Sequence, residues 1–243
     1  MPEGSVVVRV LGILRPIEVE AGNQVTYERM RVLVACESSG TVRDAFLRLG
    51  HDAMSCDLLP TDTPGPHYHG SVMDILGDGW DLMIAHPPCT HIAVSGAAWF
   101  EEKRKDGRQA EAIAFFMKMI NAPIPHICVE NPVCIMSTVY QRPSQIIHPW
   151  QFGHPEQKTT CLWTKGLRRL RPTNVVYDEM MKLPKNERER IHYLPPGPDR
   201  WKERSKTFQG IADAMADQWG VPGSLIPEFT QTTMFHSKSP MRA

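Results

Sequence analysis

No run in this sequence approaches the roughly 18 consecutive apolar residues of a membrane-crossing helix, so no membrane partner is expected. The first residues hold no basic stretch leading into an apolar segment and a small-residue cleavage site, so no secretory signal is expected either. Nowhere do two cysteines stand as Cys-x-x-Cys. The six cysteines, at 36, 56, 89, 128, 134 and 161, are scattered, several of them in apolar strand-like runs. That pattern argues against a disulfide framework or a four-cysteine zinc site and for reduced thiols in a cytoplasmic protein. Internal repeats and low-complexity tracts are also missing. Net charge is zero, with 27 basic and 27 acidic residues.

What is present is enough chain, 243 residues with 42% hydrophobic, for one α/β domain and a small appendage. The balanced charge is unevenly spread. Residues 158–206 hold 13 lysines and arginines against 6 acids, and the rest holds 14 against 21. Such a basic segment suits a polyanionic partner, and it equally suits a solvated, arginine-rich loop region.

Two β-like runs, Val6–Leu14 and Ile17–Tyr27, with turn signals at Arg15-Pro16 and Gly22-Asn23, predict an N-terminal hairpin extension over residues 1–30. From Arg31 the pattern alternates. Strands are predicted at Arg31–Cys36, His51–Leu58, Asp81–Ala85, His126–Val129 and Thr159–Trp163, with a short segment at Gly70–Asp74. Helices are predicted at Thr41–Leu49, Ala110–Ile120 and Phe208–Trp219. Alternation of this kind predicts a mostly parallel sheet with helices on both faces. Between Thr164 and Ser205, prolines 172, 184, 195, 196 and 198 dissolve the periodicity, and the tail after Pro222 shows no pattern.

The densest chemical signal is Asp81-Leu-Met-Ile-Ala-His-Pro-Pro-Cys-Thr-His-Ile-Ala-Val-Ser-Gly96. Proline cannot donate to a sheet ladder, so the strand stops and Cys89 sits on a stiff turn at its carboxyl end. A thiolate there is a strong nucleophile if a positive environment lowers its pKa, whereas a thiol packed in the core is inert. A second strand runs into Val129-Glu130-Asn131-Pro132, where Glu130 is either a catalytic carboxyl or a simple cap. At the first strand, Cys36-Glu37-Ser38-Ser39-Gly40 forms a tight turn into a helix, and the second strand ends at Asp57-Leu58. That is the logic of a nucleotide site, with an acid placed for ribose hydroxyls. Asp74 ends the third segment and reads as a second such acid or as a helix N-cap.

Pro88-Cys89 with Ser95-Gly96, then Glu130-Asn131 after a strand, inside a Rossmann pattern, resembles the DNA cytosine-C5 methyltransferases in their compact, phage-encoded form. The resemblance runs from about Arg31 to Pro222. In it, Phe-x-Gly-x-Gly appears as Cys36-Glu-Ser-Ser-Gly40. The aromatic-Gly-x-Pro-Gln-x-Arg-x-Arg strand appears as Phe152-Gly-His-Pro-Glu-Gln-Lys-Thr-Thr-Cys161, with Lys158 in place of one arginine and no counterpart for the last. Phe208, Gly210 and the small residues after them resemble the closing motif.

The resemblance implies a Rossmann-like S-adenosylmethionine-dependent fold with a small basic lobe before the last helix. Its catalytic core would be 31–165, its lobe 166–203, its returning helix 204–222 and its loose tail 223–243. It implies Cys89, Glu130, Asn131 and Lys158 in catalysis. Cys36, Glu37, Ser38, Ser39, Gly40, Asp57, Leu58, Asp74, Pro87, Gly210 and Ile211 would lie around S-adenosylmethionine. Double-stranded DNA is the implied partner and the host cytoplasm the implied location. Trp99–Arg108, with Lys103, Arg104, Lys105 and Arg108, reads as a mobile loop that closes over a flipped base.

Other classes fit less of the chain. His86, Cys89 and His91 offer a metal site but lack a fourth ligand. A zinc deaminase would need the second cysteine of Pro-Cys-x-x-Cys. An amino-methyltransferase would carry an acid, Asn or Ser where His86 stands and an aromatic where Cys89 stands. A non-catalytic nucleic-acid-binding relative, or a C5 methylase acting on RNA or a free nucleotide, stays open. The short lobe leaves little room for reading a long DNA sequence.

Overall fold

The computed structural model describes residues 29–221; the expected N-terminal hairpin and the tail lie outside them. Seven strands form one sheet: β1 Arg31–Ala35, β2 Asp52–Asp57, β3 His67–His69, β4 Leu82–Ala85, β5 His126–Asn131, β6 Gln145–Ile147 and β7 Thr160–Lys165. Their spatial order is β3-β2-β1-β4-β5-β7-β6. β1 to β5 run parallel, and β7 alone is reversed, pairing antiparallel with β5 and β6. This is the Rossmann-like, mostly parallel sheet with helices on both faces expected from the sequence.

The helices are α1 Thr41–Arg48, α2 Phe100–Lys105, α3 Arg108–Ile120, α4 Met136–Val139, α5 Tyr177–Lys182, α6 Lys185–Arg188, α7 Arg190–Tyr193, α8 Arg200–Ser205 and α9 Gln209–Trp219. Among the described residues no helix is long and apolar enough to cross a membrane.

The strands read as continuous apolar runs because both faces of the sheet are covered. Val32, Val34, Leu82, Ile84 and Leu162 point to a core shared with Phe46 of α1 and Ile211, Met215 and Trp219 of α9. Leu33, Ala35, Met83, Val129 and Trp163 point the other way, to Phe116 and Met119 of α3. The buried indoles keep their N–H groups paired: Trp219 donates to the Arg168 carbonyl at 2.9 Å and Trp163 to the Gln141 carbonyl at 2.8 Å.

The chain winds outward from β1 through β2 to β3, then crosses back to place β4 on the other side of β1. That reversal opens a crevice at the carboxyl ends of β1 and β4, where sheets of this kind bind ligands. The two motif-bearing turns of the sequence leave the sheet at this point.

One expectation needs correction, and one strand was not foreseen. Trp99–Arg108 is not a loop: Phe100–Lys105 is helical, and Lys103 is buried with Nζ donating to the Thr90 carbonyl at 2.7 Å. Gly96 leaves the space for that ammonium, since a Cβ there would stand 3.3 Å from Nζ. Gln109 adds a bond from Nε2 to the His91 carbonyl at 3.3 Å. These residues brace the turn after Cys89. Gln145–Ile147 was not anticipated as a strand, because three residues are too few to show a period.

Candidate active site

At the end of β1 the chain turns sharply. Cys36 has φ 59°, in the left-handed region where non-glycine residues are uncommon, and Gly40 follows at φ 75°. A Cβ on Gly40 would lie 2.3 Å from the Thr63 hydroxyl, so only glycine fits. Glu37 folds back and caps α1, its Oε1 accepting from the Val42 amide at 2.8 Å and the Ser39 hydroxyl at 3.0 Å. The helix end is therefore already answered by a carboxylate of the protein itself.

Arg43, fully buried, ties this turn to the segment after β2. It donates to Asp44 Oδ1 at 2.8 Å, the Ser55 and Thr61 hydroxyls at 3.1 Å and the Thr63 hydroxyl at 2.8 Å. The Asp62 amide in turn donates to the Ser38 carbonyl at 2.8 Å, and Lys202 pairs with Asp62 at 2.5 Å.

Asp57 closes β2. Its Oδ1 accepts from the Leu59 amide at 2.9 Å, and Oδ2 has no hydrogen bond among the described residues. Its charge lies near Cys36, whose thiol is pushed up to about 12 by burial first and Asp57 second. Leu58, beside it, is 73% exposed. A free carboxylate oxygen next to an open apolar side chain fits a nucleoside: hydroxyls to the acid, a ring face to the leucine. Asp74 is exposed and accepts from the Tyr68 hydroxyl at 3.2 Å. It does not cap a helix; Ser71 does so for the 3-10 turn Val72–Asp74.

Across the crevice, the His86 amide donates to the Ala35 carbonyl at 2.9 Å, extending the β1–β4 ladder by one residue. The Cys89 turn follows, closed by Ile92 and Ala93 amides donating to the Cys89 carbonyl at 3.1 and 2.8 Å. It is bound to the segment after β5 by the Ala93–Cys134 bridge and by Val94 and Ile135 amides donating to the Val133 and Ile92 carbonyls at 3.0 Å. Asn131, 1% exposed, donates from Nδ2 to the Pro87 carbonyl at 2.9 Å. Asn131 and Pro87 thus hold β5 and the Cys89 turn in register.

Glu130 Oε2 lies 3.0 Å from His86 Nδ1, with the two side chains only 15% and 9% exposed. Burial would raise the Glu130 carboxyl, but the His86 hydrogen bond and the Lys158 charge outweigh it and hold the group below the usual carboxylate range. Cys89 is half-buried, and its thiol is pushed above its ordinary value by burial first and by Glu130 second; Lys158 and Arg204 pull the other way. In the free protein the positive charges do not prevail: burial first and the Glu130 carboxylate second hold the thiol up. Lys158 donates from Nζ to the Arg204 carbonyl at 3.1 Å and sits 5.9 Å from the centre of the Phe208 ring.

Gly210 and Ile211 open α9. The Gly210 amide donates to His154 Nε2 at 2.9 Å, and a Cβ on Gly210 would lie 1.9 Å from the Phe152 carbonyl oxygen. Ile211 is 3% exposed in the core. These contacts seat the start of α9.

Sequence reasoning missed His86 and Arg204 as members of this site. His86 was findable, since Ala85 pairs with Val129 and the next residues along the two strands are His86 and Glu130. Arg204 was not, because 46 residues separate it from Lys158. Among the described residues no group of three or more His, Cys, Asp or Glu side chains could hold a metal ion.

No protein-family model matches the chain. No curated protein matches it. Solved structures that resemble it include a putative DNA modification methyltransferase encoded within an Escherichia coli prophage, 16% identical, TM-score 0.42, over 64% of this chain and 56% of that one. The Entamoeba histolytica methyltransferase EhMeth is 14% identical, TM-score 0.40, over 61% and 58%. The S. pombe Dnmt2 methyltransferase is 15% identical, TM-score 0.39, over 72% and 62%. The chain thus spans 56–62% of the length of these three proteins.

Proposed function

We propose that the chain is a DNA cytosine-C5 methyltransferase acting through a covalent Cys89 adduct. The observation that carries this reading is the meeting of Cys89 with Glu130 and the charges of Lys158 and Arg204 at the switch point of a methyltransferase-type sheet. Residues 31–165 would form the catalytic core, 166–203 a reduced recognition lobe and 204–222 the returning segment. S-adenosylmethionine, when bound, supplies an electrophilic methyl group. Asp57 would hold its ribose and Leu58 and Asp74 its base, with the Cys36–Gly40 turn beneath.

The chain's own residues do the rest. Cys89 adds to C6 of the target ring. A carboxyl at N3 and the exocyclic amine lets the ring accept the charge, which makes C5 nucleophilic. Loss of the C5 proton then releases Cys89, so one hard step becomes two easier ones. The surroundings of Cys89 suit a thiol that waits for its substrate. Neutralising Glu130 against the base removes one cause that raises the thiol, while Lys158 and Arg204 remain to stabilise the thiolate. The lobe supplies Arg200 and the 55% exposed Trp201, which with Arg204 at the start of the returning segment border a cavity of about 340 Å³ suited to a phosphate and a stacked base.

Mass spectrometry of nucleosides from DNA of cells expressing the chain tests the reading. 5-Methylcytosine should appear with the native chain and vanish with Cys89→Ser. DNA carrying 5-fluorocytosine should trap a covalent complex through Cys89. Full activity in Cys89→Ser would rule the mechanism out.

A further inference from the structure

The pairing of His86 with Glu130 has no use in a mechanism that asks only for a carboxyl group, and it creates a difficulty for one. A carboxylate held in its ionised form cannot give a proton to ring N3. We propose that His86 is the proton partner of Glu130: it orients the carboxylate and passes to it the proton that the target pyrimidine takes at N3. This rests on the C5-methylation reading above.

The backbone makes the pair obligatory. Ala85 and Val129 are register partners and face the same core, so the next residue on each strand turns to the opposite face. His86 and Glu130 therefore meet side by side. The His86 amide is fixed to β1 and Asn131 clamps the Pro87 carbonyl, so neither side chain can drift along its strand.

His86 Nδ1 reaches Glu130 Oε2 at 3.0 Å, within the range for transfer. Nε2 of the same ring is buried and has no hydrogen-bond partner among the described residues. A buried polar atom left unmatched in a native fold calls for an explanation, and a ring that must change its proton count while a substrate is bound supplies one.

The other groups around the pair are Lys158 from the approach to β7, Arg204 at the end of α8 and Cys89 on the turn, with the buried thiols of Cys128, Cys134 and Cys161 nearby. None of the thiols is ionised readily, because burial raises each. Lys158 gives its hydrogen bond to the Arg204 carbonyl. His86 is thus the side chain in hydrogen-bond contact with Glu130 whose ring nitrogens can both donate and accept a proton.

The step balances. Cys89 gives its thiol proton to solvent, the sulfur forms the S–C6 bond, the C5=C6 pair moves into C4–C5, and the C4=N3 pair collects on N3. His86 Nδ1 gives its proton to the Glu130 carboxylate, which passes one proton on to N3, so the step ends with a neutral imidazole beside an ionised Glu130. When the S–C6 bond breaks again, the N3 proton returns along the same path.

His86→Asn keeps a donor near the position of Nδ1 but cannot carry a proton, and His86→Leu removes both functions. With His86→Asn, kcat should fall about 10²-fold, the scale of one acid–base group. The KM for DNA and the cofactor affinity should stay within about twofold. The shape of the kcat pH profile should differ from that of the native chain, because the asparagine cannot carry a proton. His86→Leu should lose more, because Glu130 then lacks its hydrogen bond; if that variant does not fold, the asparagine variant decides alone.

Native kcat and pH profile in His86→Asn, in a protein that still methylates and traps on 5-fluorocytosine, would overturn the His86 proposal and leave the function standing. Absence of both methylation and trapping in the native chain would overturn the function, and this role with it.

Discussion

The two sides of the crevice are built on opposite principles. At the carboxyl ends of β1 and β2, polar groups are largely answered from within the protein. Glu37 caps α1, Arg43 is surrounded by oxygens, and Asp62 and Thr61 donate to the Ser38 carbonyl. At the ends of β4 and β5 they are not. His86 Nε2 and Asn131 Oδ1 lack partners among the described residues, and a carboxylate sits beside a thiol it disfavours. A satisfied network is rigid and suits a pocket that binds the same ligand every cycle. An unsatisfied one holds groups ready to change state, which is what chemistry needs.

If this contrast is real, changes on the chemical side should destroy turnover and spare the fold, and changes on the binding side should do the reverse. The largest effect expected is Cys89→Ser: methylation falls below detection, while calorimetry finds cofactor affinity nearly unchanged. Arg43→Met should have the largest effect on stability. Leaving its oxygen partners buried and unmatched should cost about 3–5 kcal/mol in denaturant unfolding, the scale for breaking a buried charged network. Unchanged stability there would break the comparison.

Glu130→Gln should lower kcat about 10²- to 10³-fold, the scale of losing one group aimed at developing charge, with the unfolding midpoint little moved. Asp57→Ala should weaken cofactor binding about 10- to 100-fold, or about 1.4–2.8 kcal/mol, without changing affinity for DNA.

The smallest effect is the sharpest, because it predicts opposite signs. Glu130 raises the Cys89 thiol, so Glu130→Gln should lower its pKa and speed its alkylation at a fixed mildly alkaline pH. Lys158 lowers it, so Lys158→Met should raise the pKa and slow alkylation. Mass spectrometry of the labelled peptide reads both. Equal rates in the two variants would show that Cys89 does not sense either charge.

Much of the frame was legible in the sequence. β1, β2, β4, β5, α1, α3 and α9 each carry enough period or enough continuous apolar character to mark themselves, and the placing of Ser38, Asp57, Cys89 and Glu130 at strand ends followed from where those runs stop. The lobe was not legible. Tyr177–Lys182, Lys185–Arg188, Arg190–Tyr193 and Arg200–Ser205 are helices of one or two turns between prolines, too short to show a period. The Trp99–Arg108 expectation failed for a related reason. Its basic residues suggested a mobile, solvent-facing segment, and only the fold shows that Lys103 is turned inward onto the Thr90 carbonyl.

The sequence by itself determined which residue types stand at the ends of which strands, because hydrophobic runs and proline stops are local properties of the chain. It could not decide the sign of the field at Cys89, or whether Gly210 and Ile211 face a ligand or a neighbouring backbone. Those outcomes depend on distances between segments far apart in the chain. Glu130 and Lys158 both reach Cys89 through the sheet order, and Arg204 arrives only because α8 and α9 fold back against the approach to β7. Electrostatic effects fall off with separation in space, which sequence spacing does not measure, so the tertiary structure alone set the chemistry of the crevice.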